Sequence, residues 1–180
     1  MEQNEKIKIL IEQFKSGNKD SFVELINLSR EPVYKIIYAI INNQENSIEV
    51  LDEVIYKAYT NLDKLRHPEF FKTWIIRIAI NESKNYLKKN SKIIYMEDCD
   101  KEKSLPNNVE EKIDFETALN TLGLETKSVI IMKCYMNFTF DEIAISLDKP
   151  VGTIKTWYYK GLDKLKTQLD GIQGEVTNHE

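Results

Sequence analysis

The chain has 180 residues, 42% hydrophobic and 30% charged, with a formal net charge of −4, enough for one large domain or two small ones. No run of about 18 apolar residues is present to span a membrane, and the start, Met-Glu-Gln-Asn-Glu-Lys, lacks the basic stretch and apolar core of a signal peptide, so a cytoplasmic chain is expected. Two distant cysteines, Cys99 and Cys134, and two histidines, His67 and His179, offer no metal-ligand spacing, so no metal and no cofactor is expected.

The pattern is helical nearly throughout, which predicts an all-α fold. Residues 4–16 suit one helix and 19–42 a longer one, with Pro32 at a break or a first-turn position. Residues 47–65 carry Val50, Val54, Ala58, Leu62 and Leu65 at helical spacing. On that helix Glu49, Asp52 and Glu53 form an acidic cluster with Ile48, Ile55 and Tyr56 nearby. An acidic patch edged by apolar side chains suits a basic protein partner; an ordinary solvated face has the same composition.

After the loop Arg66-His67-Pro68-Glu69, residues 70–90 form another helix. Phe71, Ile75, Ile78 and Ala79 mark one apolar face and Ile76, Ile80 and Leu87 a second, with Thr73, Arg77, Asn81, Lys84 and Lys88 running between them. Phe70 and Trp74 sit beside that stripe. Cations and amides interleaved with aromatics meet the needs of single-stranded nucleic acid, namely phosphate neutralisation and flat faces for stacking. The same residues also fit a solvated basic edge whose aromatics belong to the core.

From Asn90 to Asn108 the chain turns polar and acidic, with Pro106 and no apolar period, and reads as a flexible linker. Helical periodicity resumes over 109–137. Thr139 and Asp141 then cap a helix with Ile143, Ala144 and Leu147 on its inner face, and Asp148-Lys149-Pro150 ends it. The next helix carries an apolar stripe of Val151, Ile154, Tyr158, Leu162, Leu165 and Leu169. Thr153, Thr156, Tyr159 and Lys160 fall away from it, with Lys155 and Trp157 on its flanks. This predicts a helix-turn-helix whose polar second helix suits a DNA major groove; a surface helix pair without special function would share the pattern. The boundaries are 1–90, a linker over 91–112, 113–170, and a disordered tail at 171–180.

Charge distribution complicates a nucleic-acid reading. Residues 1–95 hold 15 basic against 13 acidic side chains, and 114–170 hold 7 against 8. Neither half is a basic block, so tight non-specific duplex binding by this chain alone is not expected.

Taken together, these segments resemble the extracytoplasmic-function sigma factors of bacterial RNA polymerase. Asp20-Ser-Phe through Val33-Tyr34 and Asp52-Glu-Val-Ile-Tyr-Lys-Ala-Tyr59 are similar to the first module of that family. Phe71-Lys-Thr-Trp-Ile-Ile-Arg-Ile-Ala-Ile-Asn81 with Lys84-Asn-Tyr-Leu87 is close to its signature helix. Leu122 through Lys133, Phe140-Asp-Glu-Ile-Ala144 and Pro150-Val-Gly-Thr-Ile154 resemble the second module.

The resemblance implies an alternative sigma factor that binds core RNA polymerase and directs promoter-specific initiation, without catalysis of its own. Glu49, Asp52 and Glu53 match positions that dock the clamp helices of the largest polymerase subunit, and the second module would meet the flap. Arg66, His67, Phe70, Lys72, Trp74, Arg77, Asn81, Lys84 and Asn85 match positions that open the minus-ten element and capture an unstacked non-template base. Thr153, Lys155, Thr156, Tyr159 and Lys160 match positions that read the minus-thirty-five element as duplex. The linker would thread the polymerase channels, and an anti-sigma protein, often membrane-anchored, would control the factor. Polymerase binding would also account for the thin positive charge, since the core enzyme supplies general DNA affinity.

Two departures from the family pattern stand out. Trp157 and Leu162 occupy places where relatives often carry arginine, and Asn46-Ser-Ile-Glu-Val-Leu51 is less acidic than the usual docking segment. The alternative function is a stand-alone helix-turn-helix regulator; it would need no docking patch and would leave the Arg77–Lys88 stripe unexplained.

Overall fold

The computed structural model describes residues 2–97 and 115–175, and within them every regular element is helical. Helices α1 (Glu2–Lys15), α2 (Asp20–Ile41), α3 (Gln44–Asn61) and α4 (Phe71–Glu97) build an N-terminal bundle in which α2 packs on the other three. Its corners follow local chemistry. Asn42 ends α2 in the left-handed region (φ 54°), and its N–H donates to the Tyr38 carbonyl at 2.7 Å. Asn43 then caps α3, its side-chain oxygen accepting from the Asn46 N–H at 3.0 Å.

Pro32 neither breaks nor starts a helix, contrary to expectation: α2 runs through it. The lost backbone hydrogen bond costs about 3 kcal/mol, which burial on both sides of the proline offsets; Leu25, Ile26 and Ser29 precede it and Val33, Ile36 and Ile37 follow, all buried. Helix α4 likewise continues past Asn90 to Glu97, because Ser91 to Met96 holds no glycine or proline to stop it. The rest of the expected linker, with Cys99 and Pro106, lies outside the described residues.

The period over 109–137 divides into α5 (Phe115–Asn120), α6 (Leu124–Ile130) and a π turn, Ile131–Tyr135. Gly123 lies extended between α5 and α6, at the start of α6. Helix α7 (Phe140–Leu147) opens with a reciprocal cap: Thr139 Oγ1 accepts from the Glu142 N–H at 3.2 Å, while the Glu142 carboxylate accepts from the Thr139 N–H at 2.7 Å. Asp141 thus lies in the first turn and is not the cap. Asp148 closes α7 in the left-handed region, and α8 (Val151–Glu175) follows.

Helix α8 extends through residues 171–175, where the sequence predicts a tail; 176–180 lie outside the described residues. Its inner stripe also differs from the predicted one. Ile154 and Leu165 are buried, but Leu162 is 36% exposed and Gly161 takes the inward place. A Cβ on Gly161 would lie 2.6 Å from Thr126 Cγ2, so the absent side chain leaves room for α6 to pack closely on α8.

The two modules pack on each other, α7 against α4 and α6 against α2. Met132, Ile143 and Ile154 of the C-terminal module share one apolar core with Ile36, Ile37 and Ile76 of the bundle.

Candidate nucleic-acid interface

The loop between α3 and α4 is shaped by two 3-10 turns. A 3-10 turn, Leu62–Lys64, buries Leu62 and delivers the Leu65 N–H to the Leu62 carbonyl at 3.1 Å. Pro68 starts a second 3-10 turn, Pro68–Phe70, closed by the Phe70 N–H on the His67 carbonyl at 3.0 Å. Phe71 is fully buried at the head of α4 and anchors that helix. Its neighbours at positions 70, 74, 78, 81 and 82 then line up on the face turned toward α3.

The result is an open pocket of about 450 Å³ between the loop, α3 and α4, within the range of about 300–1,000 Å³ usual for small-ligand clefts. Five of the residues singled out in the sequence meet there: Arg66, His67, Phe70, Trp74 and Asn81. Phe70 is exposed and Trp74 half-buried, and the His67 and Phe70 rings stand edge to face, 6.0 Å apart. Flat faces, an amide and cations therefore border one concavity open to solvent.

Four others do not line it. Arg77 NH2 lies 3.5 Å from Asp148 Oδ2 and Lys84 Nζ 3.5 Å from Glu125 Oε1, so both face carboxylates of the C-terminal module. Asn85 Nδ2 donates weakly to Glu82 Oε1 at 3.4 Å, and Lys72 stands half-buried outside the pocket. Thr73, counted in the polar stripe, is 4% exposed: its hydroxyl donates to the Phe70 carbonyl at 2.8 Å, and its own carbonyl accepts from Ser146 Oγ at 3.4 Å.

Sequence reasoning missed Lys57, Asn61, Lys64, Ile78 and Glu82 as site residues; with Leu65 they complete the lining. Lys57, Asn61 and Lys64 recur at helical spacing, a signal available from the sequence; the pairing of Lys57 with Glu82 from another helix was not. Lys57 Nζ lies 2.6 Å from Glu82 Oε2 and 3.7 Å from Glu53 Oε1. The hydrogen bond to Glu82 holds the Lys57 ammonium above the usual lysine range, against a smaller opposing effect of burial. Lys64 Nζ donates to Asn61 Oδ1 at 2.8 Å, and Asn61 Nδ2 to the Lys57 carbonyl at 2.9 Å.

On the outer face of α8, Lys155, Thr156, Tyr159 and Lys160 are exposed, Tyr159 at 61%, and Thr153 is half-buried. Thr156 Oγ1 donates to the Gly152 carbonyl at 2.9 Å. Glu49, Asp52 and Glu53 are exposed on α3 beside Ile48 and Tyr56, themselves exposed, whereas Ile55 turns toward the core. Among the described residues no group of three or more His, Cys, Asp or Glu could hold a metal ion, and no helix is long and apolar enough to cross a membrane.

Comparison with known families settles the class. Residues 25–93 match sigma-70 region 2 and residues 112–165 match sigma-70 region 4. The chain belongs to the extracytoplasmic-function sigma factors. It is 26% identical to the ECF RNA polymerase sigma factor SigW of Bacillus subtilis over 91% of this chain and 96% of that one. It is 27% identical to the B. subtilis RNA polymerase sigma factor SigV over 86% and 95%. Two solved structures share the fold: the sigma factor RpoE of Bartonella quintana in complex with the anti-sigma factor NepR and CnrH in complex with the cytosolic domain of CnrY. Their TM-scores are 0.72 and 0.71, at 19% and 18% identity, covering 83% and 92% of this chain and 96% and 98% of theirs. In the terms of this family, residues 25–93 of the bundle match region 2, and residues 112–165, which hold α7 and the start of α8, match region 4. Sigma factors act in transcription initiation and are not an enzyme family.

Proposed function

We propose that the chain binds core RNA polymerase and directs initiation at specific promoters, opening the minus-ten element with region 2 and reading the minus-thirty-five element with region 4. The observation that carries this reading is the pocket bordered by Phe70, Trp74, His67, Arg66 and Asn81. A base swung out of a duplex needs an aromatic face to replace its lost stacking and polar groups for its pairing edge; this lining offers both. Lys72, Arg77, Lys84 and Asn85 continue along α4 and take the adjoining backbone. Since Arg77 and Lys84 face Asp148 and Glu125 in the closed arrangement, full DNA engagement requires region 4 to move off α4.

Thr153, Lys155, Thr156, Tyr159 and Lys160 read the minus-thirty-five duplex. Glu49, Asp52 and Glu53, flanked by Ile48 and Tyr56, dock the clamp helices of the largest polymerase subunit, while region 4 meets the flap. The segment 91–112 between residues 1–90 and 113–170 threads the polymerase channels. A net charge of −4 fits a subunit that takes its general DNA affinity from the core enzyme. The chain works in the cytoplasm, and an anti-sigma protein controls it, a reading supported by the anti-sigma complexes of RpoE and CnrH.

The test is reconstitution: purified chain and bacterial core polymerase on the promoter upstream of its own gene. Start-site-specific transcripts that depend on the chain are expected. Neither core binding nor such transcripts would sink the reading.

A further inference from the structure

A second cavity, of about 420 Å³, lies in the seam between the two modules, with α2 as one wall and α5, α6 and the π turn as the other. Its size is that of a small-ligand site, and the promoter-reading function makes no use of it. Tyr34 and Tyr38 of α2 stack along one wall with ring centres 6.1 Å apart, and Tyr135, Leu119 and Ile130 line the other. No carboxylate is among the described lining residues, but two ammoniums are, on Lys35 and Lys127. Lys35 is already paired with Glu31 on its own helix.

Lys127 is not paired. It is 7% exposed, and its ammonium, a triple donor, meets two neutral acceptors, the Ala39 carbonyl and Asn120 Oδ1. Among the described residues no third acceptor and no carboxylate reaches it. Burial holds its proton affinity down, and no acid acts in the other direction. The end of α2 supplies only about half a negative charge, so the cation is partly uncompensated in a place where charge is costly to bury.

We infer that the seam cavity is a binding site for a small planar acid, an aromatic ring bearing one carboxylate, whose oxygen takes the remaining Lys127 donor while the ring lies against the tyrosines. A bare anion would leave the aromatic walls wet, and a neutral ring would leave the charge unanswered. Because the walls belong to different modules, such an acid binds while they are packed together and thereby favours that arrangement. Arg77 and Lys84 then stay opposite Asp148 and Glu125, so the acid opposes promoter engagement; this consequence, unlike the site, rests on the proposed function.

Cinnamate and its neutral amide, cinnamamide, test the site on the purified full chain, with affinities read by titration. Cinnamate should bind tighter than cinnamamide by about tenfold, the worth of one hydrogen bond to a charged group, and should raise the thermal midpoint. Lys127→Met should bring cinnamate down to the affinity of cinnamamide. Leu119→Trp, which fills the cavity and leaves the ammonium in place, should weaken both and serves if the Met variant fails to fold. Equal binding of acid and amide to the wild type, or cinnamate binding that Leu119→Trp leaves unchanged, would overturn the site. In reconstituted transcription, saturating cinnamate should lower the yield from the wild type but not from Leu119→Trp. An unchanged yield in the presence of bound cinnamate would overturn the closing role and leave the site standing. Absence of transcripts without any acid would instead count against the proposed function.

Discussion

Lys127 Nζ lies 2.8 Å from the Ala39 carbonyl oxygen, joining α6 of region 4 to the last turn of α2 in region 2. Ala39 is among the four final carbonyls of its helix, which have no partner within it, and a cation at that end also meets the negative pole of the helix dipole. The same ammonium donates to Asn120 Oδ1 at 2.7 Å, and Lys127 as a whole residue is 7% exposed. The Arg77–Asp148 pair crosses the same seam, but both side chains are largely exposed at 3.5 Å. Pairs of that kind contribute about 0–1 kcal/mol, so the buried lysine and the shared apolar core hold the seam.

Lys127→Met should therefore destabilise the chain by about 1–3 kcal/mol, the cost of stranding buried acceptors, read as a lower thermal midpoint. Asp148→Asn, which tolerates the left-handed backbone at that position, should change stability by less than about 0.5 kcal/mol. A pH series adds a sign. Burial holds the Lys127 ammonium below the ordinary lysine value of 10.5, so the unfolded chain binds that proton more tightly than the folded one. The stability of the wild type relative to Lys127→Met should then rise as pH climbs toward 10.5 and level off above it.

Gly161→Ala should lower the thermal midpoint although alanine favours helix. Propensity returns up to about 1 kcal/mol. Against that, a methyl 2.6 Å from Thr126 Cγ2 and 3.2 Å from Ile130 forces the overpacking that costs about 1–3 kcal/mol. A variant as stable as the wild type would show that α6 and α8 separate easily.

Lys155 is exposed on the outer face of α8, with Nζ 5.8 Å from the centre of the Phe140 ring. Lys155→Ala should weaken binding of the holoenzyme to minus-thirty-five duplex and reduce the slope of log affinity against log salt by about one unit. Titrations at several salt concentrations measure it. An unchanged slope would remove Lys155 from the phosphate contacts.

Much of the fold was legible because helical spacing and caps are local. The cap at Thr139 and the stop at Asp148-Lys149-Pro150 follow from side chains within a few residues of one another. The errors came where tertiary packing overrode the local signal. Pro32 stays inside α2 because its neighbours are buried on several sides, and Gly161 replaces Leu162 on the inner stripe because α6 comes too close for a side chain. At the candidate site, Arg66, Phe70, Trp74 and Asn81 could be found from one helix and its loop. Glu82 could not, because its partner Lys57 is 25 residues away on α3. Nor does spacing along α4 reveal that Arg77 and Lys84 face region 4 and not the pocket.

Permanganate reactivity of thymines in the minus-ten element tests the central claim most directly, on a promoter carrying core polymerase and either the wild-type chain or Trp74→Ala. With the wild type, thymines should become reactive in a short tract upstream of the start site. Trp74→Ala should keep core binding but lose about 1–3 kcal/mol of opening, the worth of one base stacked on an aromatic ring. Equal reactivity with both chains, or none with the wild type in a complex that has formed, would contradict the account.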